Sequence, residues 1–251
     1  MERRHFLGAA GAAGAGLGAQ ERKEGREYYE LRLYHLRIPK RDQFNAFMRE
    51  GMVPALNRAG VKTVGAFNVM IGPDSPTVYL LIPYPSLDAL LATRQRLEAD
   101  AAYQKALQAP AADPLFVRME SSLLEAFESV PRLEAPKKEA RMFELRTYES
   151  PTEPAHLKKM EMFTPKLGEL EIFRRAGLQP VFFGRTLVGP RLPSFTYMLT
   201  YPDMAARTKN WAAFIGDPEW KKLSATPGYT DPEIMTNISN VFLSPAPYSQ
   251  V

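Results

Sequence analysis

The sequence predicts an α+β fold in which two tandem β-α-β-β-α-β units, each ferredoxin-like, pack as one pseudo-dimeric α+β barrel. Three observations carry this. The stretch YYELRLYHL (Tyr28–Leu36) returns as MFELRTYES (142–150), keeping Glu-Leu-Arg, one spacer and a Tyr. Helix-like stretches behind both copies end in Arg-Ala-Gly, at Arg58-Ala59-Gly60 and Arg175-Ala176-Gly177. Later strand-like runs both close on Tyr-Pro, at Tyr84-Pro85 and Tyr201-Pro202. Self-similarity on this scale marks a duplicated supersecondary unit.

Taken in order, the elements repeat. Alternation with a period of two makes YYELRLYHL a strand, with Tyr29, Leu31 and Leu33 on one face and Glu30, Arg32 and Tyr34 on the other. Its copy places Phe143, Leu145 and Thr147 opposite Glu144, Arg146 and Tyr148. Phe44, Phe47, Met48 and Leu56 then recur close to helical spacing, as do Leu157, Met160, Leu167 and Leu170. A Gly after Arg-Ala suits a left-handed helix end, and Pro54 and Pro165 each predict a kink or break. Residues 61–69 and 178–187 read as second strands, and 77–85 and 195–202 as third strands. Helical segments follow, in which DAAYQKA from Asp100 answers DPEWKKL from Asp217, and last strands lie near 118–127 and 234–243.

The units span residues 26–130 and 142–251, joined by a Pro- and charge-rich linker, 131–141. Each unit carries its helices on one face of a four-stranded antiparallel sheet. The other face needs a cover, and the second unit supplies it.

Residues 1–25 are different material. A basic head with Arg3-Arg4, then Phe6-Leu7 and an Ala/Gly run, describes an export signal of the twin-arginine type followed by a tail. The expectation is a bacterial protein exported to the periplasm or the extracellular space. No apolar run reaches the roughly 18 to 20 residues of a membrane span. With no cysteine, disulfides, thiolate metal sites and thiol nucleophiles are excluded. The net charge is +4 but Lys and Arg are interleaved with Asp and Glu, so nucleic acid is not an expected partner. No Gly-rich phosphate loop and no G-x-S-x-G motif occurs, so neither a nucleotide cofactor nor serine-hydrolase chemistry is expected.

The paired ELRxY openings, the Arg-Ala-Gly helix ends followed by a strand and the Tyr-Pro turns resemble the NIPSNAP family, in two copies over residues 26–248. The resemblance implies a domain of the dimeric α+β barrel type and brings no established catalytic residues. The wider superfamily includes cofactor-independent monooxygenases, small isomerases, decarboxylases and haem-dependent peroxidases.

The candidate site is the repeated polar face, Glu30, Arg32, Tyr34, Glu144, Arg146 and Tyr148, which is assigned to the barrel interior where the two sets could meet. Enclosed charges must be paired. These groups then either satisfy one another and hold the halves in register, or line a pocket in which an Arg holds an anion and a carboxylate moves a proton. The histidines of the exported chain, His35 and His156, have no metal-ligand spacing, so no metal and no cofactor is expected. His35 falls off the inward face on this assignment, and His156 falls in the first turn of a surface helix. Tyr79, Tyr84, Tyr197, Tyr201, Trp211 and Trp220 fill the core or line an aromatic pocket. The function expected is binding of a small apolar or anionic molecule between the half-barrels. The alternatives are a cofactor-independent monooxygenase or isomerase using the same interior groups, and an interaction module with a filled interior. Oligomerisation beyond the intrachain pseudo-dimer stays open.

Overall fold

In the computed structural model, which describes residues 25–139 and 141–251, eight strands close into one barrel. The first half runs β1 (Tyr28–Leu36), a 3₁₀ turn (Ile38–Lys40), α1 (Arg41–Phe47), a π-helical turn (Met48–Met52), α2 (Val53–Arg58), β2 (Gly65–Ile71), β3 (Thr77–Tyr84), α3 (Leu87–Ala99), α4 (Ala101–Ala112) and β4 (Phe116–Ala126). The second runs β5 (Met142–Glu149), α5 (Glu153–Met162), α6 (Glu169–Arg175), β6 (Gln179–Val188), β7 (Ser194–Tyr201), α7 (Met204–Gly216), α8 (Pro218–Ser224), α9 (Asp231–Ile234) and β8 (Asn237–Pro245). Residues 1–24, which carry Arg3-Arg4 and almost all of the expected export signal, lie outside the described residues. No helix among the described residues is long and apolar enough to cross a membrane.

Around the barrel the order is β1-β3-β2-β8-β5-β7-β6-β4. The halves join edge to edge, β2 to β8 and β4 to β6, both antiparallel. Closure removes the free edges that a lone four-stranded sheet would expose. A half expressed alone, cut within residues 131–141, therefore exposes two edges and an apolar face, and is expected to aggregate or homodimerise. A soluble monomeric half in size-exclusion chromatography would contradict this.

The repeated signals have local causes. Gly60 (φ 103°) and Gly177 (φ 85°) end α2 and α6 in the left-handed region. A Cβ on Gly177 would also meet the Asn210 side chain at 2.8 Å. Arg58 and Arg175, just before these turns, pair with Asp100 and Asp217. Those aspartates cap α4 and α8 by accepting from backbone N–H groups of Tyr103, Glu219 and Trp220. The duplicated Arg-Ala-Gly and the duplicated Asp are thus two ends of one contact. Pro54 opens α2 directly after the π turn, and Pro165 lies in the turn between α5 and α6.

Two kinds of core result. Tyr29, Leu31, Phe67, Phe143, Leu145 and Phe182, from both halves, pack inside the barrel. Outside it, the helices of the first half cover Tyr34, Val78, Leu80, Ile82 and Tyr84, and those of the second half cover Tyr148, Phe183, Phe195 and Tyr197.

Candidate functional site

The repeated Glu-Arg-Tyr faces point outward, under the helices, and not into the barrel. Tyr34 and Ile82, the register partner of Glu30, belong to the helix-covered core of the first half, whereas Leu31 and Leu81 are interior. Glu30 accepts from Arg32 (2.8 and 2.9 Å), Ser121 on β4 (3.1 Å), Tyr84 on β3 (3.2 Å) and Arg94 on α3 (3.3 Å). Glu144, fully buried, accepts from Arg146 (2.8 Å), Arg207 (2.8 and 3.1 Å) and Trp211 (2.9 Å) on α7, Tyr201 (3.2 Å) and Asn240 (3.2 Å). Arg32 and Arg146 each also donate to the next Tyr hydroxyl, Tyr34 or Tyr148, at 3.4 Å. Every partner of Glu30 lies in the first half and every partner of Glu144 in the second, so the two sets do not meet.

The physical reason for the inversion is that both faces of these strands are buried. A period of two separates the faces without saying which is inside. Charges need partners, and here the covering helices supply them. ELRxY with Tyr-Pro is therefore a clamp that fastens helix to sheet. Burial alone would raise the Glu144 carboxyl, but hydrogen bonds from Arg207 and Trp211 and the charge of Arg146 hold it down at about 2. Glu30 is lowered in the same sense, Arg32 overcoming its burial. Most of the six aromatic residues serve these layers. Tyr84, Tyr201 and Trp211 donate to the two carboxylates, Tyr197 donates to Tyr148 (2.8 Å), and Trp220 packs on Phe214. His156 stands in the first turn of α5, as expected, but on the buried side, against Phe195, and burial lowers its pKa.

What the barrel does enclose is graded along its axis, as the strand registers show. Tyr29, Leu124, Phe143 and Leu243 form a floor. Above it come Leu31 with Ser122 and Leu145 with Val241, then Leu33 with Tyr79 and Glu120, and Thr147 with Thr196 and Ser239. At the rim stand His35 with Arg118, and Glu149 with Asn237. A cavity of about 320 Å³ occupies the upper levels, lined by both halves, and a second of about 290 Å³ shares Leu33, Pro73, Tyr79, Glu120 and Arg191 with it and reaches His35.

The mouth carries the chemistry. His35 Nε2 lies 2.9 Å from Glu120 and Nδ1 3.5 Å from Asp74, on the β2–β3 hairpin. The Glu120 contact is out of line for a hydrogen bond, which leaves Nε2 buried without one. Arg118 bridges the same carboxylates, at 2.9 Å to Glu120 and 3.6 Å to Asp74. Glu120 is held below the usual carboxylate range, first by Arg118 and then by His35. Tyr79 is pushed up to about 12, mainly by burial, with Glu120 and Asp74 adding and Arg191 opposing. An imidazole between carboxylates beside a phenol can hold and pass a proton. Among the described residues no group of three or more His, Cys, Asp or Glu is arranged to hold a metal ion.

The face assignment hid His35, Glu120 and Arg191. Two signals point to His35 and Arg191: His35 shares the parity of Leu31 and Leu33, and the hairpin Gly72-Pro73-Asp74-Ser75-Pro76 repeats as Gly189-Pro190-Arg191-Leu192-Pro193 with its charge reversed.

Fold and site together define a tandem, pseudo-dimeric α+β barrel protein with a cavity at one end of the barrel. The chain belongs to the NIPSNAP family, whose model matches residues 29–131 and again 143–250. A NIPSNAP family protein of Agrobacterium tumefaciens is 23% identical, aligned over 43% of this chain and 91% of its own (TM-score 0.38). Whole-chain likeness extends to a protein of Lactobacillus acidophilus provisionally assigned as a monooxygenase (8% identity, 88% of this chain and 94% of that one, TM-score 0.60). It extends also to chlorite dismutase of Candidatus Nitrospira defluvii (7% identity, 90% and 93%, TM-score 0.53). At such identities the likeness shows the fold alone. No curated protein sequence matches the chain.

Proposed function

We propose that this protein binds a small apolar or anionic molecule inside its barrel and, given the expected signal in residues 1–25, does so in the periplasm or outside the cell. One observation supports the binding most: the cavity of about 320 Å³, walled by both halves and graded from aliphatic to polar. Pockets that mix an apolar wall with a few polar groups are the usual form of small-molecule sites. The solid interior expected of a pure interaction module is present only at the floor.

Native mass spectrometry of the purified full chain tests this. The parent is expected to carry a small-molecule mass adduct, and Thr147→Phe, which fills the cavity from β5, is expected to lose it while keeping the parent's circular dichroism. A parent that carries nothing, and that takes up no small amphiphile offered to it, would remove the proposal.

An enzymatic reading, a cofactor-independent monooxygenase or isomerase, is favoured by the His35–Glu120–Tyr79 grouping on the adjoining cavity of about 290 Å³. In that reading these residues replace Glu30, Arg32, Tyr34 and their copies as the reacting groups. Turnover abolished by His35→Gln with ligand binding intact would support it; unaffected turnover would end it.

A further inference from the structure

The two halves place chemically opposite residues at equivalent points of the barrel mouth. By strand register and hairpin alignment, His35, Asp74, Arg118 and Glu120 of the first half correspond to Glu149, Arg191, Asn237 and Ser239 of the second. A homodimer of identical units could not differ in this way. In the first half Asp74 and Glu120 each lie within ion-pair distance of both His35 and Arg118. In the second half the charges are not matched. Glu149 accepts from Asn237 (2.8 Å), and Arg191 donates to the Ser239 hydroxyl (3.0 Å). Among the described residues no carboxylate comes within ion-pair distance of Arg191, although Arg191 lines both cavities. Arg191 also has φ 65°, a left-handed conformation rare for its residue type.

Resting on the reading that the cavity binds a small molecule, we propose that Arg191 is its anion anchor and that the ligand is a small amphipathic carboxylate. The head pairs with the guanidinium at the rim beside the Ser239 and Thr147 hydroxyls, and the apolar body descends between Leu31, Leu145 and Val241. A planar guanidinium with a free edge matches a carboxylate through paired, charge-assisted hydrogen bonds. At about 30 Å³ for each water-sized group, 320 Å³ has room for roughly ten non-hydrogen atoms, the size of an eight-carbon fatty acid.

Octanoate and 1-octanol, titrated calorimetrically into the full-length protein, test the proposal, because they share a body and differ in the head. Octanoate is expected to bind more tightly, and to weaken as salt rises while 1-octanol does not. Arg191→Asn, a residue that tolerates the left-handed backbone, is expected to weaken octanoate by roughly two- to fivefold, the anchor being at an exposed rim, and to leave 1-octanol unchanged. Arg191→Lys is expected to keep most of the octanoate affinity. If 1-octanol binds as well as octanoate, or Arg191→Asn leaves octanoate unaffected, the anchor is wrong while the cavity reading stands. If neither compound binds the parent, the cavity reading falls and the anchor with it.

Discussion

Glu144→Leu is expected to destabilise the protein by about 3 to 5 kcal/mol, the cost of leaving buried charge without its partner. The carboxylate is fully buried, and its removal strands Arg146, Arg207 and the Trp211 N–H at once. Adding Arg146→Met and Arg207→Met is expected to recover part of the loss, because the groups act as one network. Glu30→Leu is expected to cost less, since Arg94, its partner from the helix, has a side chain 55% exposed and can turn to water. Acid provides an independent check. The Glu144 carboxyl titrates at about 2 in the fold against an ordinary 4.5, so its contribution is complete above about pH 4.5 and is lost as pH falls toward 2. That contribution amounts to about 3 kcal/mol. The penalty of Glu144→Leu in urea titrations should therefore be smaller at pH 3 than at pH 7. A penalty that does not change with pH would mean that the carboxylate is not held ionised by this network.

Lys159→Met with Glu169→Met is expected to leave stability unchanged or raise it by about 1 to 4 kcal/mol, while Glu169→Met alone costs about 3 to 5 kcal/mol. Lys159 and Glu169 are both buried, with the ammonium 3.0 Å from each carboxylate oxygen and about 5 Å from the Phe163 and Trp220 rings. Desolvation outweighs their attraction: burial pushes the Glu169 carboxyl up to about 7 despite Lys159. Counting back from Arg-Ala-Gly, the first half has Met52 where the second has Glu169, and Met52 is buried in an apolar core. The sign for pH is opposite to that of Glu144. A carboxyl raised in the fold favours the protonated state, so this site's contribution declines as pH rises from about 4.5 to 7. The parent should lose stability over that window relative to the double variant, with His156 common to both and cancelling. A double variant as unstable as the single one would show that the pair holds α5 to α6 in a way packing cannot replace.

Much of the architecture was legible in the sequence because it rests on local chemistry that repeats. Glu-Leu-Arg-x-Tyr, Arg-Ala-Gly and Tyr-Pro each recur because each serves a short-range need: a strand with two distinct faces, a left-handed helix end, a hydroxyl that reaches the carboxylate on the neighbouring strand. The order β-α-β-β-α-β follows from these signals, as do the π turn before Pro54 and the helix break at Pro165. The site was not legible in the same way. Alternation told Leu31 from Arg32, but only closure of the barrel, with helices packed outside it, decided that Leu31 faces the cavity and Arg32 faces a helix. Both sides are buried, and hydrophobic periodicity distinguishes buried from wet, not one buried side from another. The mouth depends on tertiary structure more strongly still. His35, Asp74, Glu120 and Arg191 come from separate strands and hairpins, and their proximity follows from β4 pairing with β1 and from the joining of the two halves at β2–β8 and β4–β6. The repeat alone determines that two like units exist. Long-range strand pairing decides that residues no longer alike in those units face one another across a single opening.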